Sequence, residues 1–164
     1  MSDPAVTSTT KIKVTWQEVT EDGSSEVLSY SLEIDDGTGG DFMPVVGFLT
    51  DYLKHEFTLT NNIVKGTLYR LRYRALNKIG WGSYSPIAYV RAANIPEAPL
   101  QPSYVSSTST TVTISLPRSL DDGGSPISSY KLWVDEGDNF TSAFSEVPSY
   151  NGQDTQFTSD ALLD

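Results

Sequence analysis

Side chains that could carry out catalysis are few in this chain. Its 164 residues include one histidine, His55, and no cysteine. A serine–histidine pair would depend on that single imidazole, and a cysteine nucleophile or a zinc–thiolate site is excluded. His55 lies beside Glu56 and Phe57 in a segment with strand-like alternation, which is typical of a structural histidine at a strand edge. Since no carboxylate pair stands out by its spacing either, we predict that the chain is not an enzyme and has no cofactor.

Two acidic, glycine-containing turns are weak candidates for calcium binding. Calcium takes six to eight oxygen ligands, and carboxylates in a folded-back loop can supply several of them. Neither turn has EF-hand spacing, and tight turns use Asp and Gly for backbone reasons alone. A calcium site and a plain turn therefore both stay open as interpretations. The candidate ligands are Asp35, Asp36 and Asp41 in the first turn, and Asp135, Glu136 and Asp138 in the second.

A row of arginines is the main candidate for binding a partner. Arg70, Arg72 and Arg74 occupy every second position of one segment, and Trp81 follows closely. Guanidinium groups in such a row can bind an anionic partner, or they can be paired inside their own domain. The net charge of −10 and the absence of interleaved exposed aromatics exclude a nucleic-acid groove. We expect internal pairing first and a protein-interaction face second.

Two further signals concern the setting of the chain. Asn139-Phe140-Thr141 is an N-glycosylation sequon, which matters only if the protein is secreted. No apolar run approaches 18 residues, and the first 30 residues contain no signal-peptide hydrophobic region. We therefore expect no membrane insertion by this segment.

The elements that must position these residues come from an internal repeat. Lys11–Trp16 aligns with Thr111–Leu116 at a shift of 100 positions. The same shift carries a β-like alternating segment and a later pair onto their counterparts: Tyr30, Leu32 and Ile34 onto Tyr130, Leu132 and Val134, and Phe57-Thr58 onto Phe157-Thr158. Coincidences in one register at so many positions indicate a tandem repeat.

The repeat unit reads as all-β. Short segments alternate apolar and polar residues, turn signals separate them, and no stretch keeps a helical period. This pattern predicts antiparallel β-sandwiches in tandem. Residues 94–102 hold three prolines and predict a short, semi-rigid linker between residues 1–93 and residues 103–164.

These segments resemble tandem fibronectin type III domains, which belong to the immunoglobulin-like class. The resemblance rests on Lys65–Gly80, which is similar to the family's tyrosine corner, strand F and the turn into strand G, although Lys65 replaces a frequent proline. In the second repeat, 121–130 is similar to the B–C loop and strand C, and Leu116 replaces the core tryptophan. The fold signature is Trp16, Tyr30, Tyr69, Leu71, Tyr73, Ala75, Asn77 and Gly80.

The resemblance implies that the second repeat stops before strands F and G. Its strand C would then have an open edge, and half of its core would lack a cover. We expect that the domain continues beyond these residues or, as the alternative, that another chain completes it.

The resemblance also bears on the arginines. Strand alternation places them outward on strand F, opposite Glu33 and Asp35 of strand C. Trp81 and the residues after it are similar to the Trp-Ser-x-Trp-Ser element of cytokine receptors, in which tryptophans stack between arginines. Because Tyr84 and Gly82 depart from that element, we expect one stacked Trp81–arginine contact and not a complete ladder.

These observations favour a non-enzymatic structural spacer and protein-interaction segment of a larger, acidic modular protein. Its partners would be other proteins or neighbouring domains of the same chain. The alternatives are an accessory module of a large secreted enzyme and a receptor-like ligand-binding ectodomain. The sequon and the family favour an extracellular or cell-surface location slightly over a cytoskeletal one, and the sequence does not decide between them.

Overall fold

The computed structural model describes residues 7–135 and 143–159. Every regular element in these ranges is a β-strand and every strand pairing is antiparallel, so the predicted all-β class is confirmed. The chain forms two compact units, one of residues 1–95 with 123–125, the other of residues 96–122 with 126–164. Among the described residues, no helix is long and apolar enough to cross a membrane.

The first unit is built from two sheets. One has the strand order β3-β2-β5-β6, and the other pairs β1 with β4. The long strand β5 takes its length from nine residues with uninterrupted alternation. The strands are β1 (Ile12–Thr15), β2 (Ser29–Ile34), β3 (Met43–Val46), β4 (Glu56–Leu59), β5 (Leu68–Leu76) and β6 (Ala88–Arg91).

Both sheets contribute to one hydrophobic core. Its largest fully buried side chain is Tyr30, and Trp16 packs at 6.3 Å from it, ring centre to ring centre. The other buried members alternate along their strands as the sequence pattern predicts: Ile12, Val14, Leu32, Leu59, Tyr69, Leu71, Val90 and Ala92. This packing is a two-layer β-sandwich.

A glycine allows the segment after β3 to approach β2. Gly47 has φ of 81°, and a Cβ on it would lie 1.7 Å from the carbonyl oxygen of Tyr30. The Ser29 hydroxyl donates a hydrogen bond to the Gly47 carbonyl at 3.2 Å. Only glycine fits here, because both the backbone conformation and the space exclude a side chain.

The described residues of the second unit form five strands in two small sheets. The orders are β11-β8-β7 and β10-β9. The strands are β7 (Ser103–Ser107), β8 (Val112–Ser115), β9 (Trp133–Val134), β10 (Ser145–Glu146) and β11 (Gln156–Thr158).

The internal repeat reappears in the strand register. Val14 pairs with Phe57 in the first unit, and Ile114 pairs with Phe157 in the second. The pairs on either side keep the same shift of 100 positions. Single hydrogen bonds keep it too, since the Tyr30 hydroxyl accepts one from the Val19 N–H and the Tyr130 hydroxyl accepts one from the Ser119 N–H, both at 3.2 Å. The limits expected for the domains, 1–93 and 103–164 with a linker at 94–102, stay predictions.

Candidate functional site

The arginine row lies on the outer face of the larger sheet. β5 buries Tyr69 and Leu71, so alternation turns the arginines to the other side. β2 runs antiparallel beside it and places Glu33 directly opposite Arg72. This register brings together acids and bases that lie about 40 positions apart in the sequence.

Two buried carboxylates neutralise the row. Glu33 is 5% exposed and accepts hydrogen bonds from Arg72 Nε at 2.9 Å and Arg72 Nη2 at 2.7 Å. Asp35 is 4% exposed and accepts two bonds of 2.8 Å from Arg70, one from its backbone N–H and one from Nε. Arg74 Nη2 lies 3.9 Å from Glu33. Three guanidinium groups and two carboxylates leave this cluster with one net positive charge.

The contacts on this face shift the pKa values of Asp35 and Tyr84. Burial acts to raise the pKa of Asp35, but the hydrogen bonds from Arg70 and from the Gly37 backbone outweigh burial and hold that pKa below 3.8. Burial raises the pKa of Tyr84, and so does its hydrogen bond to Glu33. The charged form of Asp35 and the neutral form of Tyr84 are therefore the ones that this arrangement favours.

Three aromatic rings alternate with the three arginines. The Arg72 guanidinium carbon lies 4.1 Å from the Phe42 ring centre and 3.7 Å from that of Tyr84. Arg74 lies 4.4 Å from Tyr84 and 4.7 Å from Trp81, and Arg70 lies 5.0 Å from Phe42. The order along the sheet is Arg70, Phe42, Arg72, Tyr84, Arg74 and Trp81, which we call the ladder.

The chain after β5 holds two of these rings in place. Leu76 and Trp81 form an isolated antiparallel bridge, and the N–H of Ser85 donates to the Tyr73 carbonyl at 2.8 Å. The Ser85 hydroxyl accepts from the Tyr73 N–H at 3.1 Å. Residues 81–85 therefore run alongside β5, and Trp81 and Tyr84 lie over the arginines.

The expected contact between Trp81 and an arginine is present, with Arg74, but the expectation that no complete ladder would form was wrong. Tyr84 replaces the second tryptophan of the similar cytokine-receptor element without loss of stacking, and its hydroxyl adds a 2.7 Å hydrogen bond to Glu33. Phe42 was missed because it precedes β3, far from the arginines in sequence. The one sequence signal for this contact was the position of Phe42, a large ring immediately before the edge strand that pairs with β2.

The fold-signature residues occupy the first unit's core and its turns. Tyr69 forms a tyrosine corner, since its hydroxyl accepts from the Val64 N–H at 2.8 Å and donates to the Asn62 carbonyl at 3.0 Å. Asn77 donates from its side chain to the Asp22 carbonyl and accepts from the Ile79 N–H, both at 2.9 Å. Trp16 is buried, Tyr73 and Ala75 pack against the core at its margin, and Gly80 has φ of 148°.

In the first acidic turn, two of the three candidate carboxylates bind groups of the chain itself. Asp35 accepts a hydrogen bond from Arg70, and Asp36 accepts hydrogen bonds from the hydroxyl and the N–H of Thr38. Asp41 is exposed. Calcium binding in this turn would have to displace the Arg70 pair. Within residues 7–135 and 143–159, no group of three or more acidic or histidine side chains is placed to hold a metal ion.

Three predicted residues of the second unit cannot be compared with the structure. Glu136, Asp138 and the sequon residue Asn139 lie outside the described residues, whereas Asp135 is within them. His55 is exposed, and its ring packs edge-on against Tyr30 at 5.1 Å.

Comparison with known proteins identifies the family. The model of the fibronectin type III domain matches residues 3–91, more than half of the chain. The chain belongs to the fibronectin type III family. A titin homolog of Caenorhabditis elegans is 28% identical to this chain over 153 residues. Mouse fibronectin type III domain containing protein 3C1 is 29% identical over 155 residues, and human fibronectin type-III domain-containing protein 3A is 28% identical over 99 residues.

These relatives are far longer than the matched region. The titin homolog match covers 90% of this chain and 1% of that protein. For the 3C1 and 3A proteins the matches cover 92% and 60% of this chain, and 11% and 7% of those proteins. A crystal structure of titin domains has a TM-score of 0.46 and 24% identity, covering 53% of this chain and 28% of that one. The twitchin kinase region of C. elegans has a TM-score of 0.44 and 24% identity, covering 51% and 14%.

Proposed function

We propose that this chain is a structural spacer and protein-interaction segment of a larger modular protein. The observation that carries the proposal is the match to a titin homolog, in which 90% of this chain corresponds to 1% of the relative. Such a ratio is typical of one stretch in a long array of domains. Residues 103–164 would belong to a second fibronectin type III domain, which the shared strand register supports.

The first unit has the construction that a spacer requires. Its larger sheet is covered on one side by the core and on the other by the ladder, so neither face depends on a ligand. The side chains of Arg70, Arg72 and Arg74 are only 19–28% exposed. We therefore assign the arginine face, with Trp81, to internal bracing, and a partner that bound there would have to displace the ladder.

Under this proposal, the loops make the contacts with partners or neighbouring domains. Leu49 is 91% exposed in the loop after β3, and Ile79 is 88% exposed in the turn after β5. Large apolar side chains at such positions are available to another protein without any loss of core packing.

A non-catalytic role fits the same structure. His55 is exposed, and its ring packs edge-on against Tyr30. The two most deeply buried acids, Glu33 and Asp35, are bound by arginine. An accessory role in a secreted enzyme and a receptor-like ectodomain stay as alternatives that the companion domains of the full-length protein would decide.

Single-molecule stretching of the chain, held at its two termini, tests the spacer role. The first unit should unfold in one cooperative step, because one core joins both sheets and the ladder braces the larger sheet. About 90 residues at 3.3–3.6 Å each, less a folded length of about 40 Å, predict a gain of roughly 260–280 Å. An Arg72→Ala variant should unfold at lower force with the same gain in length.

A chain that extends gradually without a distinct unfolding step would contradict the spacer role. A matched control is Lys78→Ala, which removes an exposed cation outside the ladder and should leave the unfolding force unchanged.

A further inference from the structure

Strand β4 of the first unit has a partner on one edge only. It pairs with β1, and no other strand among the described residues lies beside it. The Trp16 N–H donates to the His55 carbonyl at 3.0 Å and continues this pairing. Because hydrogen-bonded pairs alternate along an antiparallel ladder, Glu56 and Thr58 turn their backbone groups away from β1. The Tyr52 hydroxyl agrees with this direction, since it donates to the Glu56 carbonyl at 2.6 Å. The N–H and C=O of Thr58 therefore lie on an open strand edge.

An apolar groove adjoins this edge. It has a volume of about 440 Å³, and β3, β4 and the turn at 60–63 all contribute to its wall. Ile34, Val45 and Phe57 are half-buried there, and Met43 is 65% exposed. A strand added to β4 would cover these apolar surfaces with the side chains that it turns inward.

The other strand of the groove, β3, is less suited to strand addition. Pro44 has no N–H, and the register between β2 and β3 shifts between Leu32 and Glu33. A proline and an irregular register both protect an edge strand from pairing with another chain. Since β4 contains no proline, we expect the added strand to bond to β4 and to lie over the groove.

The groove is acidic at one end. Asp36 lines it just beyond the end of β2, and of the described lining residues two are acids and none is basic. Asp35 is bound by Arg70, whereas Asp36 is exposed, and hydrogen bonds from Thr38 hold the pKa of Asp36 below 3.8. A second copy of this chain would bring the same acid and the same net charge of −10. A basic segment would instead be attracted to this end of the groove.

We infer that the open edge of β4 and the adjoining groove bind an extended, basic segment of another protein as an added strand. The backbone of that segment bonds to the N–H and C=O of Thr58. Its inward side chains are apolar and enter the groove, and a lysine or arginine at one end contacts Asp36. The inference rests on the proposed function, since it gives the protein-interaction role a surface and a class of partner.

The test titrates the chain with two synthetic peptides that differ only in charge. One is Lys-Thr-Val-Thr-Val-Thr-Lys, the other has glutamate in place of both lysines, and both have blocked ends. Nuclear magnetic resonance should show saturable shifts of the Glu56 and Thr58 amides with the lysine peptide. At twice its dissociation constant, exchange of the Thr58 N–H should slow about threefold. The glutamate peptide should bind about two- to fivefold more weakly, as the loss of one exposed ion pair predicts.

Matched variants locate the binding. Thr58→Pro removes the N–H on the open edge and should abolish binding, whereas Thr58→Ala retains that N–H and should bind equally. Met43→Lys leaves the edge intact but places a positive charge in the groove, and it should weaken binding of the lysine peptide. Asp36→Asn should remove the difference between the two peptides, whereas Glu26→Gln, which removes an exposed charge outside the groove, should preserve it. Circular dichroism checks that each variant is folded.

Four results would overturn the inference. The first is the absence of saturable shifts at Glu56 and Thr58 with the lysine peptide at millimolar concentration. The second is unchanged binding by both Thr58→Pro and Met43→Lys, and the third is equal binding of the two peptides. The fourth is slow exchange at Thr58 without peptide together with sedimentation as a dimer, which would identify a second copy as the occupant.

The failure of this inference is distinguishable from that of the proposed function. A chain that binds neither peptide and still unfolds in one step under force would retain the spacer role and lose only the β4 site.

Discussion

Arg72 and Tyr84 are in stacking contact, with the guanidinium carbon 3.7 Å from the centre of the phenol ring. Glu33 binds both of them, since it accepts from Arg72 Nη2 and from the Tyr84 hydroxyl at 2.7 Å each. One buried carboxylate thus fixes a cation and a ring against each other. This triad explains why a row of arginines can lie on an acidic protein as part of its framework.

Arg72→Ala should destabilise the first unit by about 2–4 kcal/mol. Removal of one partner of a buried ion pair costs about 3–5 kcal/mol, reduced here because the arginine side chain is 28% exposed. The measurement is urea unfolding followed by circular dichroism. Lys78→Ala serves as the control and should change the free energy of unfolding by less than about 0.5 kcal/mol. Equal effects of the two substitutions would show that the ladder contributes nothing.

Tyr84→Phe should lower stability by about 1–2 kcal/mol, and Tyr84→Ala by about 3 kcal/mol. The phenylalanine variant retains the ring between Arg72 and Arg74 and loses only a hydrogen bond to a charged group. The alanine variant also loses two cation–π contacts. Chemical denaturation measures the free energy of unfolding of both variants. The difference between the two values is the contribution of the Tyr84 ring.

Tyr69→Phe should cost about 1–3 kcal/mol. The substitution leaves the Val64 N–H and the Asn62 carbonyl without the hydroxyl that they share. Tyr89→Phe is a matched control on the next strand, because Tyr89 is 63% exposed, and it should be nearly neutral. Thermal unfolding of the two variants checks this. A neutral Tyr69→Phe would mean that water replaces the hydroxyl without loss.

Gly47→Ala should be severely destabilising, by more than about 3 kcal/mol. The new Cβ would lie 1.7 Å from the Tyr30 carbonyl oxygen, and the backbone there has φ of 81°. Gly39→Ala separates the two causes, since Gly39 has φ of 85° but nothing within 4 Å of its Cβ position. It should cost only the backbone strain of about 1–2 kcal/mol. Similar losses at both positions would rule out the steric contribution.

Stability should fall at acidic pH in part through Asp35. Its pKa in the folded protein lies below the ordinary 3.8, so folding favours the ionised carboxylate. That contribution is complete above the ordinary pKa and is lost as the pH falls through the lowered one. Urea unfolding between pH 6 and pH 2 should therefore show a shallower acid dependence for Asp35→Asn than for the unsubstituted chain. Asp41→Asn, in an exposed position, should retain the original slope.

The alternating pattern of Tyr69, Leu71 and Tyr73 predicted the fold and the outward direction of the arginines. That prediction succeeded because alternation across a strand is a local property of the backbone. Alternation also turned Glu33 and Asp35 of β2 outward. The strand order implied by the family resemblance then placed them opposite the arginines.

The ring stacking was harder to predict, because it depends on where loops return to the sheet. Phe42 reaches Arg70 and Arg72 from the start of β3, and no periodicity connects these positions. Tyr84 was judged by its difference from tryptophan, although stacking on a guanidinium requires only an aromatic face. Loop geometry of this kind is set by tertiary contacts, and a single sequence does not display them.

The three tryptophans of the chain sit in three different environments. Trp16 is 6% exposed within the core, Trp81 is stacked on Arg74, and Trp133 is 50% exposed on β9. Variants that retain one indole each would turn intrinsic fluorescence into a local reporter of the core, the ladder or the second unit. The chain thus has one natural fluorophore in the core, one in the ladder and one in the second unit.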